Sequence, residues 1–238
     1  MLDFSRFRVL TFDCYGTLIN WEAGILECLR PLLHAHGQRP SNDEILELYA
    51  RLELEQETGE YMPYRRVLQN VVRGFGQNFG FTPTAAEVAS LPDSLKRWQP
   101  FADTVSALRA LKTQYQLAVI SNTDDDLFAE TAKVLEVPFD HVITAQQAGS
   151  YKPSHKNFEL AFSRIGRPRQ EVLHVAQSRY HDIAPARELG IANVWINRRK
   201  QGSDATRPGD AQPDLTLPDL ASLAELAGGK LTKSRSTH

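Results

Sequence analysis

Cysteine is scarce in this 238-residue chain: Cys14 and Cys28 are its only two. They supply neither a disulfide framework nor a CxxC zinc or redox motif. Long apolar runs are missing as well, and no stretch approaches the roughly 18 continuous apolar residues of a membrane-spanning helix. The first residues, Met-Leu-Asp-Phe-Ser-Arg, lack a basic start followed by an apolar segment, so no signal peptide is expected. Excess charge of one sign is also absent. Lys plus Arg number 27 against 29 Asp plus Glu, for a net charge of -2. That leaves no electrostatic case for nucleic acid or an anionic membrane as partner. There is no internal repeat. What remains is 42% hydrophobic and 24% charged residues, the mix of an ordinary globular protein expected in the cytoplasm. The length suits one domain with an insertion, or two small ones.

Short β-prone apolar runs recur along the chain at Arg8–Phe12, Leu117–Ile120, His141–Thr144, Val172–Ala176 and Ala192–Ile196. None alternates cleanly with polar residues, as expected of parallel strands covered on both faces. Helix-period segments lie between them: Val105, Leu108 and Leu111; Leu127, Phe128 and Val134; Phe158, Ala161 and Phe162 behind a capping Ser154; and Ala184–Leu189 stopped by Gly190. Strand and helix alternate from residue 100 to 226, which predicts an α/β fold, a doubly wound parallel sheet of Rossmann-like type. Residues 21–99 break that rhythm with four helices and no strand. Ser41–Glu44 and Thr84–Glu87 have the spacing of capping boxes at two of their starts. The expected organisation is a core of residues 1–20 and 100–228, a helical insertion at 21–99 returning through Trp98-Gln99-Pro100, a surface loop at 198–213, and a disordered tail at 229–238.

Ligands of open α/β sheets bind outside the carboxyl ends of the strands. Those ends carry Asp13, Thr17, Ser121, Asn122, Lys152 and the turn from Gln177 to Asp182. Each alone has an ordinary explanation as a turn former or helix cap. Asp182 in particular suits the N-cap of the helix at 183–189. Together they would gather a nucleophilic carboxylate, hydroxyls, an amide, a fixed positive charge and a second acid at one edge.

Phe12-Asp13-Cys14-Tyr15-Gly16-Thr17-Leu18, Ile120-Ser121-Asn122, Tyr151-Lys152-Pro153 and Asp182, in that order, resemble the four motifs of the haloacid dehalogenase-like superfamily. The Asp-x-Tyr-Gly-Thr-Leu, Tyr-Lys-Pro and Trp195-Ile196-Asn197-Arg198 segments are similar to its L-2-haloacid dehalogenase branch. The resemblance implies that residues 21–99 form a cap domain and that Asp13 is the nucleophile. It also implies that Lys152 holds Asp13 ionised, with Asp182, Thr17 and Ser121 in support. Asn122, Tyr15 and a cap arginine would bind substrate and halide. Arg51 is the chosen arginine, with Arg65 and Arg66 as alternatives. Homodimers are common in that branch.

Two departures from the phosphatases of the superfamily separate the branches. Tyr15 stands where phosphatases carry a second Asp as general acid, and a phenol of pKa near 10 is a poor proton donor at neutral pH. Gln177 stands where magnesium-dependent members carry a ligand, leaving a thin donor set for a hard cation. Phe158 departs from the dehalogenases, which have a Tyr there. His181 is a candidate proton shuttle, although a hydrogen-bonded structural role is the simpler reading for both His174 and His181. Three functions follow as expectations. The first is metal-free and cofactor-free hydrolysis of a small anionic (S)-2-haloalkanoate through an aspartyl ester. The second is a magnesium-dependent small-molecule phosphatase. The third is a non-catalytic metabolite-binding protein.

Overall fold

Among the described residues six strands, all parallel, form one sheet: β1 (Val9–Phe12), β2 (Gln116–Ser121), β3 (His141–Thr144), β4 (Val172–Ala176), β5 (Ala192–Ile196) and β6 (Leu215–Leu217). Their order is β3-β2-β1-β4-β5-β6. The computed structural model describes residues 2–198 and 210–229. The expected tail therefore lies outside the described residues except for Gly229, as does most of the expected surface loop. β6 has no counterpart in the sequence reading, since Leu-Thr-Leu is too short to show a period.

Alternate residues of β1 enter opposite cores, as a pleated strand covered on both sides requires. Leu10 and Phe12 join Leu108 and Leu111 of α5 (Thr104–Lys112), Leu127 of α6 (Asp125–Leu135) and Leu223 of α10 (Leu220–Leu226). Val9 faces the other way, toward Phe158 and Ala161 of α8 (His155–Ile165) and Ala186 of α9 (Ala184–Glu188). A short α7 (Ala145–Ala148) follows β3. The strand order reverses between β1 and β4, and a crevice opens outside the carboxyl ends at such a point.

Four helices fill the chain between β1 and α5: α1 (Trp21–Ala35), α2 (Asn42–Glu57), α3 (Tyr64–Phe79) and α4 (Ala85–Ser94). Both capping boxes form, at Ser41–Glu44 and Thr84–Glu87, each cap stabilising its helix by about 1 kcal/mol. The buried stripes Ile25, Leu29 and Leu33 of α1 and Val67, Val71 and Phe75 of α3 are continuous with the core that holds Leu10. The chain enters and leaves this layer side by side, with Ile19 paired to Pro100 and Asn20 N–H donating to the Gln99 carbonyl at 2.9 Å. Asp124, beyond β2, makes a second tie. Its carboxylate accepts from the backbone N–H of Tyr64 and Arg65, both at 2.8 Å. It thereby caps α3, whose own N-cap is Pro63 and makes no side-chain cap bond. No helix among the described residues is long and apolar enough to cross a membrane.

Candidate active site

Asp13 directly follows β1, and its backbone N–H still bonds the Val175 carbonyl of β4 at 3.1 Å. The chain then turns tightly: the Cys14 carbonyl accepts from Leu18 N at 2.7 Å and Ile19 N at 3.0 Å. Gly16 makes the turn possible. It sits at φ +93°, where side chains are strained, and a Cβ there would lie 2.9 Å from Trp21 Nε1 and 3.1 Å from Gln177 Oε1. The turn brings Thr17 back onto Asp13. Its hydroxyl donates to Asp13 Oδ2 at 2.6 Å and accepts from Gln177 N at 2.8 Å. Arg198 braces the same loop by donating to the Thr17 carbonyl at 2.8 Å while pairing with Asp103 at 2.6 Å. Cys14 is buried, and burial pushes its thiol well above the ordinary range, so it offers no competing nucleophile.

Lys152 reaches across the sheet's end and uses all three of its protons. Nζ donates to Asp13 Oδ1 at 2.9 Å, Asp182 Oδ1 at 2.7 Å and the Ile120 carbonyl at 2.8 Å. The lysine is only 2% exposed, so this ion triad is a buried one. Asp182 is anchored from behind by His174 Nε2 at 3.0 Å, and His174 Nδ1 pairs with the Thr11 hydroxyl at 2.9 Å. The ring of Phe158 packs edge-on against His174, 5.1 Å between centroids. Phe158 thus supports a positioning group where the dehalogenase pattern has a hydroxyl. Asp182 is not the cap of the following helix, contrary to the alternative its spacing allowed. Ser178 starts that turn by accepting from His181 N at 3.0 Å, which frees Asp182 for Lys152 and His174. Its second oxygen, Oδ2, is buried without a hydrogen-bond partner among the described residues, and Asp182 is one of the residues lining the cleft.

That cleft lies between the sheet's end and the helical layer. Its floor is Asp13, Lys152, Asp182, Asn122 and Gln177; its roof is Trp21, Glu53, Glu57, Tyr64 and Trp98. The free volume is about 60 Å³, the room of a few water molecules at roughly 10–15 Å³ each. Tyr15 lines it with its ring, edge-on to Trp98 at 5.7 Å, while its hydroxyl pairs with Thr131 of α6 at 2.9 Å. Asn122 borders the cleft too, but its amide chiefly holds the Lys152 loop, accepting from Lys152 N at 2.7 Å and donating to the Lys152 carbonyl at 3.2 Å. Ser121 is fully buried, its hydroxyl has no partner among the described residues, and it does not line the cleft.

The cap arginine is a correction. Arg51 is exposed in a separate surface groove with Glu44, Glu47 and Asn78. At 100° per residue it sits about 200° around α2 from Glu53, so the helix turns it away from the cleft. Arg65 is held outside by Asp93 and Asp126, at 2.8 and 2.9 Å, and Arg66 is exposed. The roof instead presents Glu53 and Glu57. Tyr49 donates to Glu53 at 2.8 Å and Tyr64 donates to the same oxygen. Asn122 donates to Glu57 at 3.4 Å, and His181 Nε2 lies 3.9 Å from it. The sequence reading missed both acids because it tracked the leucines of α2. The available signal was Tyr49, Glu53 and Glu57 at four-residue spacing, one stripe of a helix whose other stripe is apolar.

Burial dominates the site's electrostatics. It raises the Asp13 carboxyl above its usual range; Lys152 opposes this and Asp182 adds to it. Asp182 is buried too, yet Lys152 and the His174 hydrogen bond outweigh that burial and hold its carboxyl below the usual range. Burial and mutual repulsion raise Glu57 well above the ordinary glutamate value, and burial raises Glu53. His181 is pushed down to about 4 by burial, with a contribution from Lys152, and is neutral near pH 7.

The haloacid dehalogenase-like hydrolase family model matches residues 7–190. The chain belongs to the haloacid dehalogenase-like hydrolases. Among its relatives, the (S)-2-haloacid dehalogenase of Pseudomonas fluorescens is 26% identical over 90% of this chain and 93% of that protein. The haloacetate dehalogenase H-2 of Moraxella sp. (strain B) is 24% identical over 93% and 98%. The L-2-haloacid dehalogenase of Xanthobacter autotrophicus, solved with chloropropionic acid covalently bound, shares the fold at a TM-score of 0.79, with 20% identity over 94% of this chain and 99% of that one. YfnB of Bacillus subtilis, a hydrolase solved with magnesium, shares it equally, at a TM-score of 0.79 and 19% identity over 94% and 99%.

Magnesium, which the family's phosphatases use, fits this hydrolase's residues poorly. Asp13 and Asp182 each direct an oxygen at the Lys152 ammonium, and Gln177 brings an amide where a third carboxylate would serve. Among the described residues no group of three or more His, Cys, Asp or Glu is arranged to hold a metal.

Proposed function

We propose that this family member is a hydrolytic dehalogenase that forms an aspartyl ester on Asp13, with α1–α4 acting as its cap. One observation carries the reading. The Asp13 carboxylate is held between Lys152 and Thr17 at the cleft floor, while Tyr15, two residues on, ties its hydroxyl to Thr131. An alkoxide leaving from phosphorus needs a proton from that position; a halide leaving from carbon needs none. In the first step an Asp13 oxygen attacks the halogen-bearing carbon from behind, the carbon–halogen bond breaks, and halide departs with the electron pair. In the second, water attacks the ester carbonyl carbon and delivers its proton toward the unpartnered Asp182 Oδ2. As the tetrahedral intermediate collapses, the departing alkoxide takes that proton from Asp182 and leaves as the alcohol. The Asp13 carboxyl loses water's second proton to solvent and returns to carboxylate. Lys152 steadies the negative charge in both steps. Neither step draws on a metal or cofactor.

The volume of the cleft suits a substrate the size of a two- or three-carbon 2-haloacid, the class named in the relatives. We place the reaction in the cytoplasm, where the unpaired Cys14 and Cys28 stay reduced. A parallel screen for halide and phosphate release, each with excess EDTA and with added magnesium, tests the reading. Halide release unaffected by EDTA is expected. Magnesium-dependent phosphate release without halide release would give the site to phosphatase chemistry, and the absence of both, with Asp13 unmodified by a reactive haloalkyl probe, would leave a binding protein.

A further inference from the structure

Among the described residues, the cleft has no free positive charge to offer a carboxylate. Four of its lining residues are acids, Asp13, Glu53, Glu57 and Asp182, against one lysine. All three Lys152 protons already have acceptors within 2.9 Å, two of them carboxylates. His181, the other basic group at the wall, is neutral near pH 7. Arg198, which braces the Asp13 loop, is occupied by Asp103 and the Thr17 carbonyl, and Arg179, beside Ser178, by the Ala211 carbonyl. A 2-haloalkanoate would set its own anion beside an Asp13 that must itself be ionised to attack, with no free cation among the described residues to offset it.

Those same acids suit a substrate that brings N–H groups. Glu57 has a side chain only 6% exposed, and its one hydrogen bond among the described residues is the long contact from Asn122 at 3.4 Å. A carboxyl that deep in a cleft, served so thinly, is completed by a polar group on the ligand, and its carbonyl oxygen accepts an N–H in either protonation state. We propose that the substrate is a small 2-haloamide whose amide N–H groups bond Glu57, an inference that rests on the Asp13 dehalogenase reading. The amide keeps the carbonyl that activates the neighbouring carbon toward displacement and removes the charge the cleft cannot balance. Glu57 is then the residue that sets head-group specificity.

The test compares multiple-turnover chloride release from 2-chloropropionamide and 2-chloropropionate at pH 7, with the Asp13→Asn protein reporting thiol alkylation and spontaneous loss. The amide should be favoured in kcat/KM by tenfold or more. Glu57→Gln should shrink that preference, mainly by raising KM for the amide and lowering it for the acid. Faster turnover of the acid would overturn the amide proposal and leave the dehalogenase reading intact. Chloride release from neither would count against the dehalogenase reading itself. Head-group choice is then read from NMR titration of the wild-type protein with lactamide and lactate: tighter lactamide supports the proposal, and tighter lactate overturns it.

Discussion

A lysine that is almost fully buried between two aspartates has little use in stability, since an apolar side chain of that size often stabilises as much or more. Lys152 makes sense as a device that keeps two acids in different states at short range. Asp182, with His174 behind it, is held below the ordinary carboxylate range; Asp13, facing the cleft, is raised above it. On the proposed mechanism Asp13 must be deprotonated to attack, so the rate falls as pH drops through the raised Asp13 value. Halide release should therefore show an acid limb above 3.8, the ordinary aspartate value, and a limb at or below it would contradict the burial of Asp13. Tyr15 gives a second test at this scale. Its hydroxyl is engaged with Thr131, outside the chemistry, so Tyr15→Phe should leave halide release close to wild type. Stability should fall by about 1 kcal/mol, the worth of one buried hydrogen bond, as measured by urea unfolding. A large loss of rate would return the phenol to the reaction.

At the scale of elements, five of six strands and every long helix were legible because each carries either an unbroken apolar run or a 3.6-residue stripe. The capping boxes of α2 and α4 were legible because a cap is a local interaction, written within four residues. The floor of the site was legible for a related reason. Asp13, Lys152 and Asp182 sit next to strand ends, and the sheet's order puts strand ends together. The roof was not. Which face of α2 looks into the cleft depends on how α2 packs on α3 and on the sheet, and that set Glu53 and Glu57 inside and Arg51 outside. Likewise the capping of α3 by Asp124, some 60 residues away, is a tertiary event that no local spacing announces. The packing of α1 is equally exacting. A methyl group at Gly24 would overlap the indole of Trp98, which lines the cleft and is tied through Nε1 to Ser94 at 3.0 Å. Gly24→Ala should cost about 1–3 kcal/mol by overpacking and raise KM by displacing Trp98; an unchanged unfolding midpoint would show that α1 can shift freely.

For the molecule as a whole, the strand order β3-β2-β1-β4-β5-β6 reverses between β1 and β4 and so places a crevice outside their carboxyl ends, and the insertion after β1 roofs it with four helices sharing one apolar core with the sheet. On the proposed reading floor and roof have separate duties, the floor carrying the reaction and the roof choosing the molecule that meets it. The claim on which both depend is that Asp13 bonds covalently to the substrate. It is tested by a single turnover in heavy-oxygen water with protein in excess, followed by mass analysis of the product and of the peptide containing Asp13. The account predicts an unlabelled product, its new oxygen coming from Asp13, and heavy oxygen in the Asp13 carboxylate. Labelled product with an unlabelled Asp13 would show that water attacks the substrate directly, and would contradict it.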